Sequence, residues 1–185
     1  MPYPEPLVAP MRQELTRIGI TELKTAADVD DVFGAKGEGT IFLVINSVCG
    51  CAASNARPAI NLAQQSAALP DQRVTVFAGQ DLEATERARE YLPGIPPSSP
   101  FMALFKFGVP VFVLERRNIE GRSASAIATD LVRAFEMYCS PNGESSGESS
   151  GESNGESSGA ANRESNDAAV DASGDTDPGT FRSIL

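Results

Sequence analysis

The sequence contains no histidine and only three cysteines among its 185 residues. Without histidine, the chain lacks the side chain that most often serves as a general base or a metal ligand. Three cysteines are also too few for the disulfide framework that staples small secreted domains. Any chemistry of this chain must therefore come from other side chains or from the few cysteines themselves.

Basic residues are scarce as well, because 15 Lys and Arg stand against 25 Asp and Glu, for a net charge of −10. Nucleic-acid affinity comes mainly from Lys and Arg that neutralise phosphates, so this balance argues against a nucleic-acid-binding surface. Residues 140–185 carry 9 acidic and 2 basic side chains, whereas residues 1–139 carry 16 and 13. Most of the net charge therefore lies in the last quarter of the chain.

Long apolar runs are absent too. The longest strongly apolar run, residues 41–45, is far shorter than the roughly 20 residues that span a bilayer. The first residues have neither the basic region nor the apolar stretch of a secretory signal. We therefore expect a cytoplasmic protein without membrane contact. In that reducing compartment, neighbouring cysteines favour redox catalysis or metal binding over a structural disulfide.

The end of the chain has low complexity. Residues 143–159 repeat every four positions, beginning Gly-Glu-Ser-Ser. A segment with no apolar side chains and many like charges cannot offset the entropy cost of ordering. We predict a globular domain over residues 1–139 and a disordered acidic tail over residues 140–185. The tail is interpreted as solubilising, with docking to a partner as the alternative.

The first 139 residues alternate between helix-like and strand-like segments. Apolar spacing predicts helices at residues 8–18 and 50–69, the latter kinked by Pro58, and after the N-cap residues Thr25, Asp81 and Ser123. Runs of β-forming residues predict strands at 40–46, 73–77, 101–107 and 110–114, the last two as a hairpin. This order predicts an α/β fold with a central mixed sheet flanked by helices on both faces, the layout of a thioredoxin-like domain.

Two of the cysteines lie together, with Cys49 and Cys51 on either side of Gly50. They follow a predicted buried strand and open the next helix, so they should lie where open α/β sheets bind ligands. The unpaired N–H groups and the dipole of a helix N-terminus stabilise a thiolate, which is the form that attacks disulfides. The pattern therefore predicts thiol–disulfide chemistry, and Gly50 leaves room for a partner backbone.

The one-residue spacing indicates how such a pair would behave. A disulfide between residues i and i+2 closes a small strained ring, which favours a more oxidising pair than thioredoxin at roughly −270 mV. The alternative of two small buried residues at a turn remains. A second alternative is metal binding, but zinc needs three or four ligands, so a site would require Cys139, a carboxylate or a second subunit. We predict redox chemistry and no metal.

Several segments resemble the bacilliredoxins, a family of thioredoxin-like proteins. The resemblance is centred on residues 44–53, Val-Ile-Asn-Ser-Val-Cys-Gly-Cys-Ala-Ala, and extends to residues 8–15, 56–59, 74–81, 97–100 and 119–121. It implies removal of bacillithiol from S-bacillithiolated client proteins. The implied partners are these clients, bacillithiol as thiol co-substrate and its reductase system, with no bound cofactor.

The resemblance also implies roles for individual residues. Cys49 is the attacking thiolate, and Cys51 is the thiol that can expel bacillithiol. Pro100 is a candidate cis-proline beside the site, with Ser99 and Gly50 as substrate contacts. Cys139 is either a packed, inert thiol or a second resolving cysteine. We therefore predict a thiol–disulfide oxidoreductase, with a general protein disulfide isomerase or a Cys-x-Cys metal carrier as alternatives.

Overall fold

The computed structural model describes residues 2–34 and 39–140. The acidic repeat and nearly all of the predicted tail lie outside the described residues. The helices are α1 (Glu5–Thr16), α2 (Ala26–Phe33), α3 (Arg57–Ala63), α4 (Leu82–Glu90), α5 (Arg116–Ile119) and α6 (Ala124–Cys139). The strands are β1 (Thr21–Glu22), β2 (Thr40–Asn46), β3 (Gln72–Phe77), β4 (Phe101–Lys106) and β5 (Val109–Leu114).

The five strands of the described residues form one mixed sheet in the order β1-β3-β2-β4-β5. Strands β1 and β2 both run parallel to β3, with a helical crossover between β2 and β3. Strand β4 runs antiparallel to β2 on one side and to β5 on the other. The predicted mixed sheet, the terminal hairpin and the thioredoxin-like layout are thereby confirmed.

Strand β2 lies at the centre of the sheet, and all seven of its residues are buried. Its side chains alternate between two apolar cores. Phe42 and Val44 pack in the core that includes α3 and α6, whereas Leu43 and Ile45 pack in the core that includes α2 and α4. A strand covered on both faces needs apolar side chains on both, which explains why the apolar run in the sequence does not alternate with polar residues.

Two of the predicted helix caps are made by the expected hydroxyls. Thr25 and Ser123 each accept a hydrogen bond from the backbone N–H three residues ahead. Asp81 occupies the predicted N-cap position of α4, but its carboxylate makes no capping bond. It accepts instead two hydrogen bonds of 2.8 Å from the buried guanidinium of Arg12. A bidentate charged partner is stronger than a single backbone N–H, so Asp81 binds α1 to the start of α4.

The helix that follows the cysteines is irregular before Pro58. Residues 52–56 form a π-helical turn, and α3 begins at Arg57 with Pro58 in its first turn. Proline has no N–H to donate, and its ring crowds the carbonyl four residues back, so the wider turn accommodates it. Helix α3 ends at Ala63, earlier than the predicted residue 69, because the chain turns back before Pro70 to enter β3.

Helix α6 covers one face of the sheet. Its residues Ile127, Leu131 and Phe135, spaced by four, are buried in the core that contains Phe42. The rings of Phe42 and Phe135 meet edge to face, with centroids 5.2 Å apart and planes at 82°. Neither α6 nor any other helix of the described residues is long and apolar enough to cross a membrane.

The central position of Phe42 leads to a stability prediction. Phe42→Ala removes a fully buried ring and leaves a cavity against Phe135, so we expect the free energy of unfolding to fall by about 3–5 kcal/mol. The matched control is Phe107→Ala, because the Phe107 side chain is 69% exposed and its loss should change stability by about 0.5 kcal/mol or less. Urea unfolding followed by circular dichroism measures both, and equal losses would contradict the assignment of the core.

Candidate active site

The cysteine pair lies at the junction of β2 and the helix that follows it. Strand β2 ends at Asn46, and the chain becomes helical from residue 50. The carbonyl of Cys49 accepts the N–H groups of Ala52 and Ala53 at 3.1 and 3.2 Å, which places Cys49 at the helix N-terminus. Both cysteines are half-buried free thiols. The structure therefore places the pair at the carboxyl end of the central strand.

The sulfur of Cys49 is surrounded by hydrogen-bonding groups. It lies 2.7 Å from the sulfur of Cys51 and 3.2 Å from the hydroxyl oxygen of Ser47. The backbone N–H of Ala52 donates to the same sulfur at 3.4 Å. A thiolate accepts such bonds better than a thiol does, so this arrangement favours the ionised form of Cys49.

The surroundings affect the pKa values of the two thiols in opposite directions. Partial burial alone would raise the pKa of Cys49, but the hydrogen bonds from Cys51, Ser47 and Ala52 and the charge of Arg116 outweigh it and lower this pKa. For Cys51, burial raises the pKa, and the hydrogen bond with Cys49 and its negative charge raise it further. Cys49 is therefore the thiol that ionises first, and Cys51 remains protonated beside it.

The loop before β4 meets the same end of the sheet. The peptide bond between Ser99 and Pro100 is cis, as the resemblance implied. Phe101 pairs with Ile45 in the sheet, so Ser99 and Pro100 lie beside the end of β2, from which the cysteine turn continues. Pro100 is buried and Ser99 half-buried. Ser99 and Pro100 thus lie at the same edge as the sulfurs, and their contact with substrate stays a prediction.

A short helix that the sequence did not predict completes this edge. Helix α5 begins at Arg116, whose backbone N–H donates to the hydroxyl of Ser98 at 3.3 Å. The guanidinium of Arg116 is half exposed, and it forms a surface ion pair with Glu120 at 3.4 Å. Its positive charge acts on both thiols and favours their ionisation. The Arg116-Arg117 pair after β5 carries no sequence motif, so only the fold reveals the role of Arg116.

A small crevice beside the cis-proline loop has mainly apolar walls. They include Ile45 and Phe101 of the sheet and Pro96 and Pro97 of the loop, and Ser98 and Arg89 provide polar groups. Neither Cys49 nor Cys51 lines this crevice, so it belongs to the loop and not to the cysteine turn.

Cys139 lies at the opposite end of the sheet from the pair. It packs against the core beneath α6, and its polar neighbours are Thr40 at the start of β2, Asp71 and Lys106. Burial raises the pKa of the Cys139 thiol. Strand β2 separates Thr40 from Asn46 by about 20 Å, at roughly 3.3 Å per residue. A disulfide needs Cα atoms within about 7 Å, so the fold does not bring Cys139 together with Cys49.

The structure also bears on Gly50 and on the metal-binding alternative. Gly50 is exposed, and a Cβ added there would meet no atom within 4 Å, so the space in front of it is open to a partner. The described residues contain no group of three or more His, Cys, Asp or Glu side chains that could hold a metal ion. Within that part of the chain, a metal at Cys49 and Cys51 would lack a third ligand of these types.

Comparisons with known proteins show the family of this chain. A family model described as disulphide isomerase matches residues 3–139. A bacilliredoxin of Salinibacter ruber is 62% identical over 140 residues, which cover 75% of this chain and 82% of that protein. A bacilliredoxin of Bacillus licheniformis is 51% identical over 138 residues, which cover 74% of this chain and 95% of that protein. The chain belongs to the bacilliredoxin family.

Among solved structures, the thioredoxin-like domain of Arabidopsis NCP matches 66% of this chain and 81% of its own length, with 15% identity and a TM-score of 0.44. Family membership and the geometry of the cysteine pair together identify a thiol–disulfide oxidoreductase. The Cys49 thiol with its lowered pKa, the Cys51 sulfur 2.7 Å away and the cis-proline loop all lie at one edge of the sheet.

The charge of Arg116 leads to a test of the thiolate. Arg116→Gln removes a cation that favours ionisation, so we expect the pKa of Cys49 to rise and its alkylation by iodoacetamide to slow at neutral pH. Because the charge is exposed, the difference should shrink between low salt and 1 M salt, where the Debye length falls to about 3 Å. The matched control is Arg133→Gln, an exposed change on α6 roughly 15 Å along that helix from its start. An equal effect of both variants would contradict a local role of Arg116.

The placement of Cys139 leads to a second test. Cys139→Ser should leave thiol–disulfide exchange at Cys49 and Cys51 unchanged, since Cys139 lies at the far end of β2. Oxidation of the wild-type chain followed by peptide mass mapping should yield a Cys49–Cys51 link. An intramolecular link between Cys139 and either site cysteine would contradict the placement.

Proposed function

We propose that the chain removes bacillithiol from S-bacillithiolated proteins in the cytoplasm. The observation that carries the proposal is the geometry of the pair at the carboxyl end of the central strand, where the Cys49 sulfur lies 2.7 Å from that of Cys51 and accepts the N–H of Ala52. The same contacts lower the pKa of Cys49, whereas the pKa of Cys51 is raised. The resemblance of residues 44–53 to the bacilliredoxin signature, together with membership of that family, supports bacillithiol as the thiol that is removed.

The first step is a thiol–disulfide exchange. The Cys49 thiolate attacks the bacillithiol sulfur of the mixed disulfide, forming a bond between Cys49 and bacillithiol as the client–bacillithiol bond breaks. The client cysteine leaves as a thiolate and takes a proton. A client whose leaving thiolate is close to Cys51 could receive the proton of that thiol.

The second step regenerates Cys49 by one of two routes. Cys51, once deprotonated, attacks the Cys49 sulfur, expels bacillithiol as a thiolate and forms the Cys49–Cys51 disulfide. Two electrons have then passed from the dithiol to the mixed disulfide, and an external thiol must return them. Alternatively, free bacillithiol attacks the bacillithiol sulfur on Cys49, which leaves Cys49 reduced and forms bacillithiol disulfide for its reductase system.

A general disulfide isomerase is the second candidate. The observation in its favour is that the matching family model carries the description disulphide isomerase over residues 3–139. The same Cys49 thiolate would attack a protein disulfide. The open space at Gly50 would admit the backbone of a client that carries a protein disulfide as well as one that carries bacillithiol. The two candidates differ in the preferred substrate and share the cysteine roles.

The decisive experiment uses one client protein that bears bacillithiol or glutathione on the same cysteine. We expect faster release of the client thiol from the bacillithiol adduct, no release with Cys49→Ser, and a bacillithiol mass adduct trapped on Cys49 with Cys51→Ser. Intact-mass spectrometry with peptide mapping locates the adduct.

Three outcomes would count against the proposal or its roles. Equal rates on both adducts would remove the preference for bacillithiol and favour the general activity. An adduct trapped on Cys51 would reverse the cysteine roles. Faster reshuffling of scrambled protein disulfides than of either adduct would favour the isomerase. The Cys139→Ser variant serves as the control for loss of a thiol elsewhere in the fold.

A further inference from the structure

A buried arginine lies beneath the cysteine turn. Arg57 is only 4% exposed, although it is charged and opens α3. Its Nε donates to Glu14 of α1 at 2.8 Å, and its Nη1 donates to the side-chain oxygen of Asn46 at 3.2 Å and to the backbone carbonyl of Ser47 at 3.1 Å. A buried charge is costly unless it is paired and hydrogen-bonded, and these contacts meet that need.

The contacts of Arg57 converge on Ser47. The N–H of Ser47 donates to the side-chain oxygen of Asn46 at 2.8 Å, and that same oxygen accepts from Arg57. The carbonyl of Ser47 accepts from Arg57 directly. The backbone of Ser47 is therefore held on both sides of its Cα, and the residue is only 6% exposed.

Ser47 in turn contacts the attacking sulfur. Its hydroxyl oxygen lies 3.2 Å from the sulfur of Cys49, where it can donate a hydrogen bond to a thiolate. A short hydroxyl side chain reaches the sulfur only if its backbone stays in place. A continuous series of hydrogen bonds thus runs from Glu14 through Arg57 and Ser47 to Cys49.

We infer that Arg57 is a positioning residue for the Cys49 sulfur, because it holds the backbone of Ser47 where the Ser47 hydroxyl donates to the thiolate. Arginine suits this role since its planar guanidinium donates in several directions at once, toward Glu14 on one side and the β2 turn on the other. A lysine in its place would keep the charge but could not reproduce that fork. The inference rests on Cys49 as the attacking thiolate of the proposed function and makes no use of bacillithiol.

The experiment measures the reactivity of Cys49 alone. In the full-length chain with Cys51→Ser and Cys139→Ser, Cys49 is the only thiol, and its alkylation by iodoacetamide is followed from pH 5 to 10. We expect Arg57→Lys and Ser47→Ala each to slow alkylation at neutral pH by about tenfold, the lower end of the effect of losing one hydrogen bond to a charged group. Both should move the midpoint of the pH profile upward. Arg133→Gln, a change at an exposed arginine of α6, is a control for substitutions away from the site and should alter neither.

The double variant tests whether Arg57 acts through Ser47. Combining Arg57→Lys with Ser47→Ala should slow alkylation no more than Ser47→Ala alone. Effects that multiply would overturn the inference, because Arg57 would then reach the sulfur by another route. A lower melting temperature with an unchanged pH profile in Arg57→Lys would also overturn it and leave a structural role only.

A milder variant covers the case in which Arg57→Lys does not fold. Glu14→Gln removes the charged partner of Arg57 at the surface and should slow alkylation in the Ser47 chain but not in the Ser47→Ala chain. Slowing in both chains would overturn the inference. Failure of the proposed function can be distinguished from failure of this inference. If Cys49 shows the pH profile of an ordinary thiol in the chain that keeps Arg57 and Ser47, then Cys49 is not an activated thiolate and the proposed function fails, whatever the Arg57 variants show.

Discussion

Burial of β2 between two helical layers is the constraint on which the site depends. The strand is paired on both edges and covered on both faces, so its position is determined by backbone hydrogen bonds and apolar contacts together. The position of Asn46, where the chain leaves β2 and enters the cysteine turn, is therefore fixed by the sheet. The sulfur of Cys49 lies three residues beyond that point, within reach of groups from the strand end, the helix start and α5.

The parts of the fold that could be predicted are those determined by neighbouring residues. The apolar run of β2 lacks alternation, which by itself indicates a strand covered twice. The caps at Thr25 and Ser123 depend on a backbone N–H only three residues away. Cys49 and Cys51 follow a strand and open a helix, so their placement at a helix N-terminus also followed from local order. Family resemblance added the cis bond before Pro100.

The features that escaped prediction depend on residues far apart in the chain. Asp81 bonds Arg12 from α1 instead of capping its own helix, and no local pattern signals that choice. Arg57 looks like an ordinary surface residue of a helix until the fold places it under Ser47. Strand β1 has two residues and α5 has four. Both are too short to show the periodic spacing of apolar residues from which strands and helices are predicted. The separation of Cys139 from the cysteine pair could not be predicted either, because it depends on the direction in which α6 crosses the sheet.

The position of Cys139 separates its reactivity from that of the site. All three thiols are half-buried, but burial raises the pKa of Cys139, whereas hydrogen bonds lower the pKa of Cys49. An alkylating reagent at neutral pH should therefore modify Cys49 before Cys139. A single chain can thus carry one label at the site and a second label, added at higher pH, about a strand's length away at the other end of the sheet.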